Sequence, residues 1–158
     1  MSMKDLTEAF KLILEKLDDA DFINGCSDEL INKAEQVLDI NFPQTYKVFL
    51  KKYGAGDIAG QEFYGVIDED FENSSIPDAI WLTLHDREKY NFPKHLLIIS
   101  QTSDGYYYVL DCSKMKDEEE GAVYEWEWNP NISKENDTWV EVAKDYGEFI
   151  LNLIKSSL

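Results

Sequence analysis

Apolar residues recur at helical spacing through the first third of the chain and in short alternating or continuous runs through the second half. Leu6, Phe10, Ile13, Leu14 and Leu17 fall on one stripe of a first amphipathic helix. Ser27 is a good N-cap, with Asp28 and Glu29 where the positive end of a helix dipole favours acids. The second helix it opens presents Leu30, Ile31, Ala34, Val37 and Leu38. Pro43 starts a third helix carrying Tyr46, Phe49, Leu50 and Tyr53. Lys51 and Lys52 complement its last turn, and Gly54 stands just past it as a stop. The run Glu62–Ile67 reads as a short strand, followed by an acidic loop through Asn73. A fourth helix is expected from about Asp78 to Tyr90, where Trp81, Leu82 and Leu84 form no clean stripe.

Leu96–Ser100 and Tyr106–Asp111 are apolar runs separated by Ser103, Asp104 and Gly105, which predicts neighbouring antiparallel strands. From Ala122 to Trp128 the pattern alternates, with Ala122, Tyr124, Trp126 and Trp128 on one face and Val123, Glu125 and Glu127 on the other. Large aromatics on one strand face usually mark a core, so Glu125 and Glu127 are expected to face outward as an exposed acidic sheet surface. Residues 129–137 read as a loop, and a closing helix from about Trp139 offers Val142, Ala143, Tyr146, Phe149, Ile150 and Leu153 to the core. The order predicts an α+β fold, a mainly antiparallel β-sheet flanked by four to five helices. No repeat or low-complexity linker divides the 158 residues, so one domain over 1–158 is expected.

Charge changes the picture most. Fifteen basic against 32 acidic residues leave a net of −17, unevenly placed. Between Lys52 and Arg87 stand Asp57, Glu62, Asp68, Glu69, Asp70, Glu72, Asp78 and Asp86 with no lysine or arginine. Between Lys116 and Lys134 stand Asp117, Glu118, Glu119, Glu120, Glu125 and Glu127, again without one. With Arg87 as the only arginine, direct nucleic-acid binding is excluded as a working expectation, because phosphates need Lys and Arg. A basic partner suits such a surface, and solubility alone accounts for it equally well. No apolar run approaches the ~18 residues of a membrane helix. The acidic N-terminal stretch lacks the basic and apolar regions of a signal peptide, so a cytoplasmic location is expected.

Candidate chemistry is sparse. The glycines of Gly54-Ala-Gly56-Asp-Ile-Ala-Gly60 follow a helix and lead into a strand, the reverse of the context in which glycines cradle a dinucleotide. Cys26 and Cys112 fit neither a disulfide framework nor a CxxC pair and read as small core residues. His85 and His95 are ten apart with no metal-binding or nucleophile motif around them, which favours solvated or locally hydrogen-bonded histidines. The run Glu118–Glu120 reads as a solvated hairpin tip. No catalytic residue, cofactor or metal is assigned, and the chain is not expected to be an enzyme.

The block from Ser27 to Ile67 carries a resemblance. Its helix with Ile31, Ala34, Glu35 and Leu38 is followed by Phe42-Pro43, Tyr46, Phe49-Leu50, Tyr53-Gly54, Gly56 and Glu62-Phe63-Tyr64-Gly65. This resembles the signature block of the SUKH superfamily (Smi/Knr type). The later strands are similar to its YobK-like bacterial members, while residues 68–95 match no part of the pattern. The resemblance implies an α+β fold and, for bacterial members, immunity proteins that bind cognate toxins, many of them nucleases. Its fungal members imply the alternative, an intracellular regulator or scaffold with no toxin partner. On the lead expectation a toxin's basic cleft meets Asp68, Glu69, Asp70, Glu72, Glu118, Glu125 and Glu127, with Trp128 as an aromatic anchor.

Overall fold

A computed structural model gives the fold over residues 2–113, 120–127 and 139–157. Helix α1 (Ser2–Glu15) buries Leu6, Ala9 and Ile13 along one face and packs against the C-terminal helix α5 (Tyr146–Ser157). Its stripe is shorter than the spacing predicts. Leu14 and Leu17 are each 58% exposed, because the helix stops at Glu15 and a single 3-10 turn leads into β1 (Ala20–Phe22).

Helix α2 (Asp28–Leu38) begins as expected, with the Ser27 hydroxyl accepting from the Leu30 amide at 3.1 Å. Ile31, Ala34 and Leu38 are buried, whereas Val37 lies outside the core. Helix α3 (Gln44–Lys52) follows Pro43 and buries Tyr46, Phe49 and Leu50. Gly54 then takes φ +74°, and its amide donates to the Leu50 carbonyl at 3.0 Å, a left-handed helix stop.

The glycine-rich segment that follows is itself structured. It forms β2 (Gly56–Ile58) and a tight turn at Ala59–Gly60, both at positive φ, into β3 (Gln61–Phe63). Together with β1 these make a three-stranded antiparallel sheet in the order β1-β2-β3. The strand expected over Glu62–Ile67 therefore ends at Phe63, and β1 has no clear hydrophobic signal. The second sheet, in the order β4-β5-β6-β7, contains β4 (Leu96–Gln101), β5 (Tyr107–Asp111), β6 (Val123–Trp126) and β7 (Trp139–Ala143), all antiparallel. The antiparallel α+β architecture is as expected, divided between two sheets.

Leu96 to Ser100 are all buried, so β4 is covered on both faces, as its continuous apolar run requires. Helix α4 (Ala79–Tyr90) lies against β4, and the Thr83 hydroxyl accepts from the Ile98 amide at 3.1 Å. Phe149 of α5 packs its ring 5.1 Å from that of Tyr108. The two sheets share one hydrophobic cluster, joined through Tyr46, Phe49, Phe63, Tyr146 and Phe149.

Trp139–Ala143 is strand, not the start of the closing helix. Val140, Val142 and Trp139 favour a pleated surface, and pairing with β6 satisfies their backbone. The helix starts after Asp145, whose carboxylate accepts from the Glu148 amide at 2.9 Å.

Glu120 is likewise no solvated hairpin tip. Pro43 offers no capping side chain to α3, and the Glu120 carboxylate, 75 residues away, takes that role. It accepts from the Thr45 amide at 3.1 Å and from the Thr45 hydroxyl at 2.6 Å. Burial raises the Glu120 carboxyl above its ordinary value, an effect that the hydrogen bonds from Thr45 only partly offset. A raised folded-state value means a stabilising contribution that is full at acid pH and lost as pH rises through it. Glu120→Gln removes this titration. The stability of the parent relative to Glu120→Gln should therefore fall as pH rises from below the ordinary glutamate value of 4.5 toward neutrality. Denaturant midpoints of both proteins across that range provide the check, and a pH-independent difference would refute the assignment.

Candidate partner-binding surface

The acidic loop between β3 and α4 is shaped by its own side chains. The Asp68 carboxylate accepts from the Asp70 amide at 2.9 Å, and Asp70 accepts from the Asn73 amide at 3.2 Å, two turns of the kind Asp favours. Phe71 is buried at the centre of this run and anchors it beside Trp81, Leu84 and His85 of α4. Asp68, Glu69, Asp70 and Glu72 are consequently all exposed on a tethered loop. Phe71 is the signal that sequence reasoning passed over, one large apolar residue among four acids.

This first acidic window is not uniformly free. Glu69 pairs with Lys33 of α2 at 2.7 Å, which holds the Glu69 carboxyl below and the Lys33 ammonium above their ordinary values. Asp78 and Asp86 are buried and belong to the fold. The Asp78 carboxylate caps α4, accepting from the Ile80 and Trp81 amides at 2.9 and 3.0 Å. Asp86 accepts from the Tyr107 hydroxyl at 2.7 Å.

The second window divides as well. Glu118 and Trp128 lie outside the described residues. Glu125 and Glu127 are half-buried rather than fully outward. Register explains it. Glu125 sits opposite Tyr108, whose ring packs on Phe149, so α5 reaches the face expected to be open. Val123 on that face is fully buried, and the ladder to β7 carries an irregularity between Val123 and Tyr124. On the other face Trp126 is buried beside Phe92. Tyr124 is only half-buried and stacks on Trp139 at 4.4 Å. No hydrogen bond or ion pair among the described residues joins the 68–72 loop to Glu125 or Glu127.

Little in the remaining geometry points to chemistry. Cys26 and Cys112 are buried; burial pushes the Cys26 thiol up to about 11 and the Cys112 thiol higher still. A thiol so displaced is a poor nucleophile at neutral pH. His85 stacks on Trp81 with ring centroids 5.4 Å apart, and its Nδ1 lies 3.0 Å from Asp86. His95 is exposed at the rim of a cleft of ≈ 780 Å³ whose charged groups are mutually paired, Asp39 with Lys94 at 2.6 Å and Glu35 with Lys47 at 3.6 Å. Among the described residues no group of three or more His, Cys, Asp or Glu is arranged to hold a metal ion, and no helix is long and apolar enough to cross a membrane.

The residues of the Ser27–Ile67 block are thus a structural frame. Tyr46 and Leu50 pack in the core, and the Tyr46 hydroxyl donates to the Tyr64 carbonyl at 3.0 Å. Gly54 turns the chain at the end of α3, and the following segment pairs as β2 and β3. A SUKH_5 family model, described as SMI1-KNR4 cell-wall, matches residues 7–155, from within α1 to within α5. The chain belongs to that family, within the SUKH superfamily.

Proposed function

We propose that this protein is a cytoplasmic immunity protein that binds a cognate bacterial toxin and occludes its basic, nucleic-acid-handling cleft, with no catalysis of its own. The observation that carries this is the 68–72 loop. It presents four exposed carboxylates on a segment pinned by Phe71 and by its own turns, so little ordering is needed when a partner docks. Membership of the family is consistent with the same reading, since the resemblance implies toxin-binding immunity proteins among the superfamily's bacterial members.

Opposed potentials steer such an encounter, and the effect weakens as salt shortens the screening length to about 8 Å at 0.15 M. Reversing Asp68, Asp70 and Glu72 to Lys is expected to slow association with the toxin at least tenfold (roughly) at low salt and to flatten its salt dependence. Glu69 is spared because it holds Lys33. A reversed variant that folds, protects cells fully and keeps the parent's salt dependence would remove the loop from the interface.

A regulatory role with no toxin partner is the second reading, favoured by the cell-wall wording of the family description. A neighbouring gene for a secreted protein with a toxic C-terminal domain, and protection against that domain, separates the two.

A further inference from the structure

Strands β6 and β7 place Tyr124 opposite Glu141 and Trp126 opposite Trp139, so these four side chains share one face of the sheet. Tyr124 also sits opposite Val109 of β5, which brings Asp111 onto the same face two residues along. Trp139 is 44% exposed, yet it is fixed from two sides. Its ring stacks on Tyr124 at 4.4 Å and meets the Trp126 ring edge-on at 5.3 Å. Glu141 is exposed and Asp111 half-buried, and neither takes part in an ion pair among the described residues. Both carboxylates are near enough to Tyr124 to raise its hydroxyl, after burial, above the ordinary value. The result is an aromatic stack with a partly exposed indole, beside two carboxylates that make no ion pair among the described residues.

We propose that this stack is a receptor for an arginine side chain projected by the protein partner, with the guanidinium lying on Trp139 and its N–H groups donating to Glu141. The chemistry selects arginine. A planar cation stacks on an indole face and forks onto a carboxylate, whereas an ammonium does only one of these well. Phosphate-bearing partners are repelled by the same carboxylates. A second copy of this chain supplies no such group, because its single arginine, Arg87, donates to the Leu38 carbonyl at 2.7 Å and to the Lys94 carbonyl at 2.6 Å. The site rests on the partner-binding function proposed above and adds to it a second contact region, whose contacting residues, Trp139 and Glu141, lie outside the two acidic windows.

The test uses the full chain, isotope-labelled for NMR, titrated at low salt with an acetylated, amidated tri-arginine peptide and with its tri-citrulline counterpart. Tri-arginine should shift the Trp139 indole N–H resonance saturably, and tri-citrulline should not. Trp139→Ala, followed through the Glu141 backbone amide resonance, should raise the apparent dissociation constant about tenfold or more, the size of a desolvated cation–ring contact. Glu141→Gln, which keeps shape and fold, should raise it by a smaller factor, and Glu15→Gln, at an exposed carboxylate of α1 outside both acidic windows, should leave the Trp139 response unchanged. Equal responses to both peptides, or unaltered affinity in Trp139→Ala and Glu141→Gln, would overturn the site. In cells, Glu141→Gln and Trp139→Ala should weaken protection against the toxin. Full protection by both, with protection lost in the 68–72 reversal, would sink the arginine receptor and leave the immunity function standing. Failure of the parent itself to protect would sink the immunity function, and the peptide titration would still decide the site.

Discussion

Gly65→Ala is expected to destabilise the protein by roughly 3 kcal/mol or more, a fall in midpoint temperature of about 6–12 °C for a chain of this size. A methyl group at this position would lie 1.7 Å from the Gly54 carbonyl oxygen, far inside contact distance. The collision is with backbone, and neither backbone can retreat. The Gly65 amide donates to the Pro77 carbonyl at 3.0 Å and its own carbonyl accepts from Ala79 at 2.8 Å. On the other side the Gly54 carbonyl accepts from the Val66 amide at 3.3 Å. Relief would break this junction between the end of α3 and the start of α4. The companion change Gly54→Val should cost less, about 1–2 kcal/mol, although Gly54 has the unusual dihedral. There the penalty is a β-branched residue at φ +74° plus an approach of 2.7 Å to the Asn24 carbonyl oxygen, a full ångström less severe than the overlap at Gly65. Chemical denaturation of the two variants measures both the sizes and their order. A Gly65→Ala protein with a parental midpoint would show that the two backbones do not approach as described.

Asp86→Ala is the second large effect expected, about 2–4 kcal/mol. Asp86 is buried on α4, where it accepts from the Tyr107 hydroxyl at 2.7 Å and lies 3.0 Å from His85 Nδ1. Tyr107 is also buried, so deleting the carboxylate leaves a hydroxyl with no acceptor and opens a void beneath it. Burial, and then the bond to Asp86, already hold the Tyr107 hydroxyl far above its ordinary value. Asp86→Asn keeps an acceptor and should recover most of the loss. Tyr107→Phe removes the donor, so adding Asp86→Ala to it should cost clearly less than Asp86→Ala costs alone. A double-mutant cycle on these positions reads the coupling. Additive effects would mean that the contact between α4 and β5 contributes nothing specific.

Local signals were strong where local physics decides. Ser27 as the cap of α2, Pro43 before α3, Gly54 after it, and the paired runs of β4 and β5 were legible because capping, fixed dihedrals and apolar alternation act within a few residues. The roles of individual acids were less clear. Asp78 and Asp86 counted as acids in a charge window, yet they cap α4 and bind Tyr107, which composition has no means of expressing. The sequence places Trp139 in a helix because Val142, Tyr146, Phe149 and Ile150 continue an apolar spacing across the break between β7 and α5. The same spacing hides the Tyr124–Trp139 stack, which exists only because β7 pairs with β6.

By itself the sequence determined the start of α2, both ends of α3, the antiparallel α+β class, the acidic balance and the recognisable Ser27–Ile67 block. Each follows from forces that are short-ranged along the chain or independent of shape. Only the tertiary structure decided which carboxylates are surface and which are internal partners. Glu120 reaches Thr45 across 75 residues, Glu69 meets Lys33 across 36, and Glu125 is half-covered because its strand lies opposite Tyr108. A carboxylate's role depends on the donors within about 3 Å of it, and for these residues the fold brings those donors from distant parts of the chain.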